Sequence, residues 1–242
     1  MVFKRNIWFG LFLLLLTACT AVPSPELVVE LPAQPQVLQV GITPALAHYT
    51  EPVQNCSDVS VLVEELPWLR LQEMDKDLML VFGEDGKVLT NDVYQLSQTE
   101  LVFIVHPDLP YDALSFSQVK AIYQGEMTDW SDVAMTSSYA GTIQPWGYME
   151  ETEIMGPILS VLDVTETSGQ WFVVPGPAEM VEKVSQEQNA IGLVPAYAVT
   201  DGVKVLSIPD AVFDPVPILA IWSAEPSDAQ QDWLLCVQEA MQ

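Results

Sequence analysis

The chain has 242 residues, half of them apolar, with 33 acidic side chains against 8 basic ones and a formal charge of −25. That is enough apolar material for one large domain or two small ones. So acidic a chain lacks the basic face that nucleic acid requires and does not suit docking on an anionic lipid surface; solubility in an acidic or salty medium explains the charge better than a charge-specific partner.

Lys4 and Arg5 open the chain with positive charge, Leu11 to Leu16 form a short apolar run, and Leu16-Thr17-Ala18-Cys19 ends it with small residues. This is the pattern of a secretory signal, too short in its apolar part for a comfortable membrane span. Leu-Thr-Ala-Cys also resembles the lipobox of bacterial lipoproteins. The resemblance implies cleavage that leaves Cys19 N-terminal, its thiol carrying a diacylglycerol, and several acyl chains on one residue suffice for stable anchoring. The protein is then extracytoplasmic and held to the bacterial cell membrane by lipid. The mature chain keeps 8 − 2 = 6 basic and 33 acidic residues, 6 − 33 = −27, with Arg70 as its only arginine. Residues 20–36, TAVPSPELVVELPAQPQ, carry four prolines and read as a tether. Cys56 and Cys236 remain as an even pair in an oxidising compartment, which predicts a disulfide from the first helix to the last, the alternative being two buried free thiols.

From Val37 the chain alternates strand and helix. Val37–Ile42 reads as a strand. Thr43 is placed to cap the helix that Pro44 opens, and Pro52 should kink or split that helix. Strands are expected at Val59–Val63, Asp77–Phe82 and Glu100–Val105, and a short helix at Trp68–Met74. Ser115 and Gln118 form a capping box, Leu114 and Val119 a hydrophobic staple, and Gly125 fits the left-handed stop of that helix, with Trp130 folding back over the turn. Further strands fall at Ile143–Trp146, Ala190–Val194, Val203–Ile208 and Val216–Trp222. Helices fall at Ile154–Leu162, after Gly176-Pro177, and after the second S-x-x-Q box at Ser227–Gln230, where Ala229, Trp233, Cys236, Val237 and Ala240 share the inner face. This order predicts an α/β fold with mainly parallel sheets and helices on both faces.

Catalytic motifs are scarce. His48 and His106 stand far apart with no ligand spacing, and no G-x-S-x-G, Walker A or dinucleotide fingerprint is present. No enzyme activity, metal site or cofactor is therefore expected; a secreted α/β hydrolase remains the rival from another class. Glu150-Glu151-Thr152-Glu153 is the densest charge, better read as a solvated loop than as a hard-cation site. Trp146 and Trp171 are candidates to line an organic-ligand pocket, although core packing is the commoner use of such rings.

Ser115–Val133, SFSQVKAIYQGEMTDWSDV, resembles a run of phosphate-type periplasmic binding proteins, with Gln118, Val119, Ile122, Tyr123, Gly125 and Met127–Val133 all fitting. Asn189-Ala-Ile-Gly-Leu-Val-Pro195 and the preceding Pro177–Val184 match in the same order. The resemblance covers about residues 37–240. It implies the type II periplasmic-binding fold, two lobes joined by a two-strand hinge with a ligand in the cleft: 37–105 plus 206–242 as lobe one, 106–205 as lobe two. Cys56 and Cys236 then share a lobe. Thr43 stands where the family has a small hydroxyl residue, and Phe82-Gly83 ends a strand where binding loops of open α/β sheets lie. The family's arginine and Gly-Ser-Gly-Thr-like turn are missing from residues 146–153, where three glutamates would repel phosphate and Thr152 is the candidate to retain one donor. Lobe one also lacks the family's Gly-Ser-Gly run around 64–70. The expected ligand set is thus Thr43, Phe82, Gly83, Trp146 and Thr152. The resemblance implies a monomeric solute-binding lipoprotein of an ABC importer, taking a small molecule or ion of the phosphate or oxyanion kind and docking on a permease. The alternative within the fold is a lipoprotein that senses or scaffolds.

Overall fold

The structure is a computed structural model that describes residues 37–56, 59–73, 75–83, 92–133, 139–164 and 171–241. The expected signal, Cys19 and the tether lie outside these residues. Three strands, β1 (Leu38–Ile42), β2 (Val61–Glu65) and β3 (Leu78–Phe82), lie parallel in the order β2-β1-β3. The run LMLVF is apolar on both pleat faces, as a strand covered on both sides requires, and LQVGI departs from that at the exposed Gln39. Helix α1 (Thr50–Asn55) contributes Val53 to one face, packed with Leu80, Phe82 and Ile218. Helix α2 (Trp68–Glu73) covers the other with Trp68 and Leu71, against Val81, Leu219 and Ile221.

Two more strands complete this sheet. β4 (Asp92–Thr99) is its edge, and β10 (Val216–Trp222) lies antiparallel between β3 and β4. The β4 sequence carries no clear strand signal and no element was expected there. Its residues, DVYQLSQT, bury only Leu96 and Thr99, so the two-residue period is faint.

The second sheet repeats the first one's order. β6 (Gln144–Tyr148), β7 (Phe172–Val174) and β8 (Ala190–Pro195) lie parallel as β7-β6-β8. β5 (Leu101–Val105) runs antiparallel on β8, and β9 (Lys204–Val205) antiparallel on β5. The fold is α/β as expected, but each sheet is mixed, three parallel strands plus an antiparallel pair, where mainly parallel sheets were expected. β5 also belongs with the second sheet and not with the first-lobe segment 37–105. Leu101–Val105 is nearly all buried and would suit either sheet; pairing with β8 decides it. The chain therefore crosses between sheets at Glu100, and again over residues 206–215.

Helix α3 (Phe116–Tyr123) is capped at both ends as its sequence predicts. The Ser115 hydroxyl accepts from Gln118 N, and Gln118 Oε1 accepts from Ser115 N at 2.9 Å. At the other end Gly125 has φ 77°, Glu126 N donates to Ala121 O and Gly125 N to Ile122 O, a Schellman stop. Trp130 is fully buried, its Nε1 donating to Asn189 O at 3.1 Å and its ring 5.6 Å from that of Tyr111. Helices α4 (Met155–Leu162) and α5 (Pro177–Gln186) flank the same sheet, α5 burying Met180, Val181 and Val184.

The last helix, α6 (Asp228–Ala240), closes the first sheet with Trp233, Leu234 and Val237. Ala229 and Ala240, expected inside, are exposed, and Leu234 is buried with Trp233 and Val237. Trp233 Nε1 donates to Val53 O at 3.2 Å, and Cys56 and Cys236 are bonded, with Cα atoms 5.6 Å apart across 180 residues of chain. Among the described residues no helix is long and apolar enough to cross a membrane.

Candidate functional site: the crevice between the two sheets

In open α/β sheets the loops at the carboxyl ends of strands form the binding crevice. Here the segments leaving β1, β3, β6 and β8 meet one another. Thr43 follows β1 and is fully buried. Its backbone has the extended geometry of an N-cap (φ −91°, ψ 163°) and Pro44 begins the next turn, yet its hydroxyl does not cap that turn. A 3-10 segment, Pro44–Tyr49, runs first, and α1 begins at Thr50. Pro52 thus sits in the first turn of α1, where its missing N–H costs nothing, and this is how the expected split is realised.

The Thr43 hydroxyl donates instead across the crevice, to Glu153 Oε1. Glu153 lies in the turn after β6. Thr152 shapes that turn by donating both its N–H (3.1 Å) and its hydroxyl (2.8 Å) to Met149 O. Glu150 and Glu151 point to solvent while Glu153 turns inward. As a residue Glu153 keeps some exposed surface, but its carboxyl group lies deep among protein atoms. That burial pushes its pKa up to about 7, against the smaller opposing pull of the Thr43 hydrogen bond. Among the described residues no lysine or arginine forms an ion pair with it; Lys76, Lys120 and Lys204 pair with Glu64, Asp163 and Asp112.

Three more contacts close the same crevice. Tyr197, just after β8, donates its hydroxyl to Ala45 O at 2.5 Å. Its ring lies 5.0 Å from that of Tyr49 and stacks on His48 at 5.7 Å. Burial, with smaller contributions from Tyr49 and Glu153, holds the Tyr197 hydroxyl neutral far above the usual tyrosine range. Gly176, which precedes α5, lies against Pro44: a Cβ there would sit 3.3 Å from Pro44 O. Gly83, at the end of β3, has φ 84°, and a Cβ on it would come within 3.0 Å of Pro157 in α4.

An open groove of about 870 Å³ runs on from Gly83, lined by Phe116, Pro157, Val161, Phe213 and Val216 and rimmed by Asp163, Asp210 and Asp214. A smaller cavity of about 260 Å³ lies beside the two crossovers, between Glu100–Phe103 and Leu206–Phe213.

Of the five expected ligand residues, Thr43 and Gly83 reach the crevice. Phe82 is buried in the core of the first sheet. Trp146 packs its ring 5.0 Å from Phe172, on the face of the sheet where Met180 and Val184 close over Gly192, and its buried Nε1 has no partner among the described residues. Trp171 packs on the opposite face, over Gly147, with Nε1 donating to Tyr123 O at 2.7 Å. Thr152 spends its hydroxyl on its own turn. The residues that do bridge the crevice and stand outside the expected ligand set are Glu153, Tyr197 and Tyr49. Glu153 was visible as the end of the acidic run, next to the apolar start of α4; Tyr197 carries no signal beyond following the β8 strand. No cluster of metal ligands occurs among the described residues.

Compared by sequence, the chain matches no family model and no curated protein. Compared by structure, it is similar to a protein described as a phosphate ABC transporter substrate-binding protein with bound phosphate, from Clostridium perfringens. The TM-score is 0.72 at 13% identity, over 84% of this chain and 93% of that one. An ABC-type phosphate transport receptor from Vibrio cholerae gives 0.60 at 15% identity, over 84% and 93%. The bromide-bound regulatory domain of HypT from Salmonella typhimurium gives 0.60 at 15% identity, over 86% and 98%. Binding proteins and regulatory domains share this architecture, so the likeness speaks to fold and not to ligand. The chain has a periplasmic-binding-protein-like α/β fold.

Proposed function

We propose that this protein is an extracytoplasmic solute-binding lipoprotein of an ABC importer, anchored through Cys19, that binds a small molecule or ion between two lobes and presents the closed form to a permease. It does no covalent chemistry in this reading and acts as a monomer. The observation that carries it is the crevice itself: the carboxyl ends of β1, β3, β6 and β8 face one another across two chain crossovers, joined by side-chain contacts and not by a continuous sheet. Such a joint suits closure about a hinge. A phosphate or other oxyanion would meet the Glu153 carboxyl at the Thr43 hydroxyl, with no arginine or lysine paired to it among the described residues, so this crevice would take one only while that carboxyl holds its proton.

Thermal-shift screening of the purified chain tests this. A solute that binds the folded form raises the melting temperature with its concentration. Phosphate, sulfate, molybdate, organic acids and divalent cations form the first panel. One responding class is expected, and a flat response to all of them sinks the importer reading. A sensing or scaffolding lipoprotein is the second reading, favoured by the chain's own groups bridging the crevice. For the hydrolase rival, ester hydrolysis lost on changing His48 or His106 would be the supporting result.

A further inference from the structure

We infer that Glu153 is a proton-operated latch across the crevice: with its proton it holds the loop after β6 against Thr43, and on ionising it lets the two faces part. The geometry comes first. Thr43 and Glu153 are 110 residues apart in sequence and belong to segments leaving different sheets, so their hydrogen bond spans the crevice. The carboxyl lies deep among protein atoms, with the Tyr197 hydroxyl close enough to feel its charge. Tyr197 follows β8 and packs on Tyr49 and His48 of the 3-10 segment, and Tyr148 ends β6 with its hydroxyl spent on Leu193 O. Glu179 Oε2 lies beside Gly176 at the start of α5, and Glu150 and Glu151 share the Glu153 turn, three further acidic groups on this side.

A neutral carboxylic acid is at home in such a place: its carbonyl oxygen accepts from Thr43, and its O–H needs only a polar neighbour. A carboxylate there is buried with no ion-paired cation among the described residues, which is among the costlier states a protein can hold. The cheapest relief is local: the loop swings out, hydrates Glu153 and releases Thr43. The burial that raises the carboxyl into the neutral range makes this a change near physiological pH and not an acid-denaturation event. Tyr197 on Ala45 and Pro44 on Gly176 carry no titrating acid in that range, so they restrain the opening without setting its pH.

Hydrogen exchange by mass spectrometry, on the full mature chain, reads the latch directly. Protection of residues 43–49 and 149–158 is followed from about pH 5.5 to about pH 8.5, with intrinsic exchange divided out. In the wild type, protection of both segments should fall roughly tenfold or more over that range. Glu153→Gln keeps the acceptor for Thr43 but cannot ionise, so its protection should stay flat. Thr43→Val should lose protection at both ends of the range. His48→Gln, which changes the imidazole on this side, should leave the wild-type profile in place. The latch is overturned if wild type and Glu153→Gln follow one curve, if the wild-type profile is flat, or if His48→Gln abolishes it. Solute binding is read separately by thermal shift, so failure of either idea shows without the other.

Discussion

The turn after α3 and the turn after β6 are both short and both lie on the second sheet, yet they spend their polar groups in opposite ways. In the first, Gly125 to Val133, the polar groups are spent within the turn or on segments of its own sheet. Asp129 accepts from Ser131, which holds its carboxyl below the usual range, Gln118 Nε2 donates to Val133 O, and Trp130 fills the space beneath. In the second, Met149 to Ile154, Thr152 settles the turn but Glu153 is sent to another part of the molecule. The first turn is structure that any ligand would leave alone. The second is where a ligand or a proton has something to change.

That contrast can be broken from either side. The largest effect expected is at Trp130: Trp130→Ala removes a fully buried indole and its bond to Asn189, and should cost about 3–5 kcal/mol in denaturant unfolding. A loss under roughly 1 kcal/mol would mean that this turn is not the keystone its burial implies.

Next comes Glu153→Gln. The Glu153 carboxyl is raised by burial from 4.5 to about 7 in the folded chain, so between those values the folded state holds a proton that the unfolded state has lost. Stability from this group is therefore present below about pH 4.5, declines as pH rises to about 7, and is flat above. The glutamine variant, which does not titrate, should match the wild type at low pH. It should exceed it at pH 8 by at most about 3 kcal/mol, less what the residue's partial exposure screens. Melting curves over pH decide this, and a wild type that gains stability through the same window refutes the assignment.

Gly125→Ala should cost about 1–2 kcal/mol, since φ 77° is a left-handed backbone that alanine adopts poorly. Smallest of all, Glu150→Gln or Glu151→Gln should stay within about 0.5 kcal/mol, because both side chains are solvated. An effect at Glu150 as large as that at Glu153 would erase the distinction between the outward and inward members of the run.

Much of the fold was legible because it is written in local chemistry. The S-x-x-Q box, Gly125 and the apolar run Val216–Trp222 each specify an element that the structure contains at that place. What stayed hidden depends on pairing between distant segments. β4 is too polar to announce itself, and Leu101–Val105 reads as a buried strand without saying in which sheet. The crevice was half visible. Thr43 and Gly83 follow from strand ends and turn chemistry, but aromatic type alone misplaced Trp146, which serves the core. For Glu153 the sequence showed charge, and charge predicts solvent; the Thr43 hydroxyl that meets it comes from 110 residues away and leaves no local signal.

The strand that completes the first sheet has a consequence for the order of assembly. β10 sits between β3 and β4, although about a hundred residues of chain separate it from β4. The second sheet, from β5 to β9, is continuous in sequence and has all its strands in hand before β10 is made. A chain threaded N-terminus first must hold β1 to β4 as an unfinished sheet, with the edge of β3 unpaired, until its last residues emerge. Only then does α6 bring Cys236 to Cys56, so the covalent closure of the first sheet records that the whole chain has arrived.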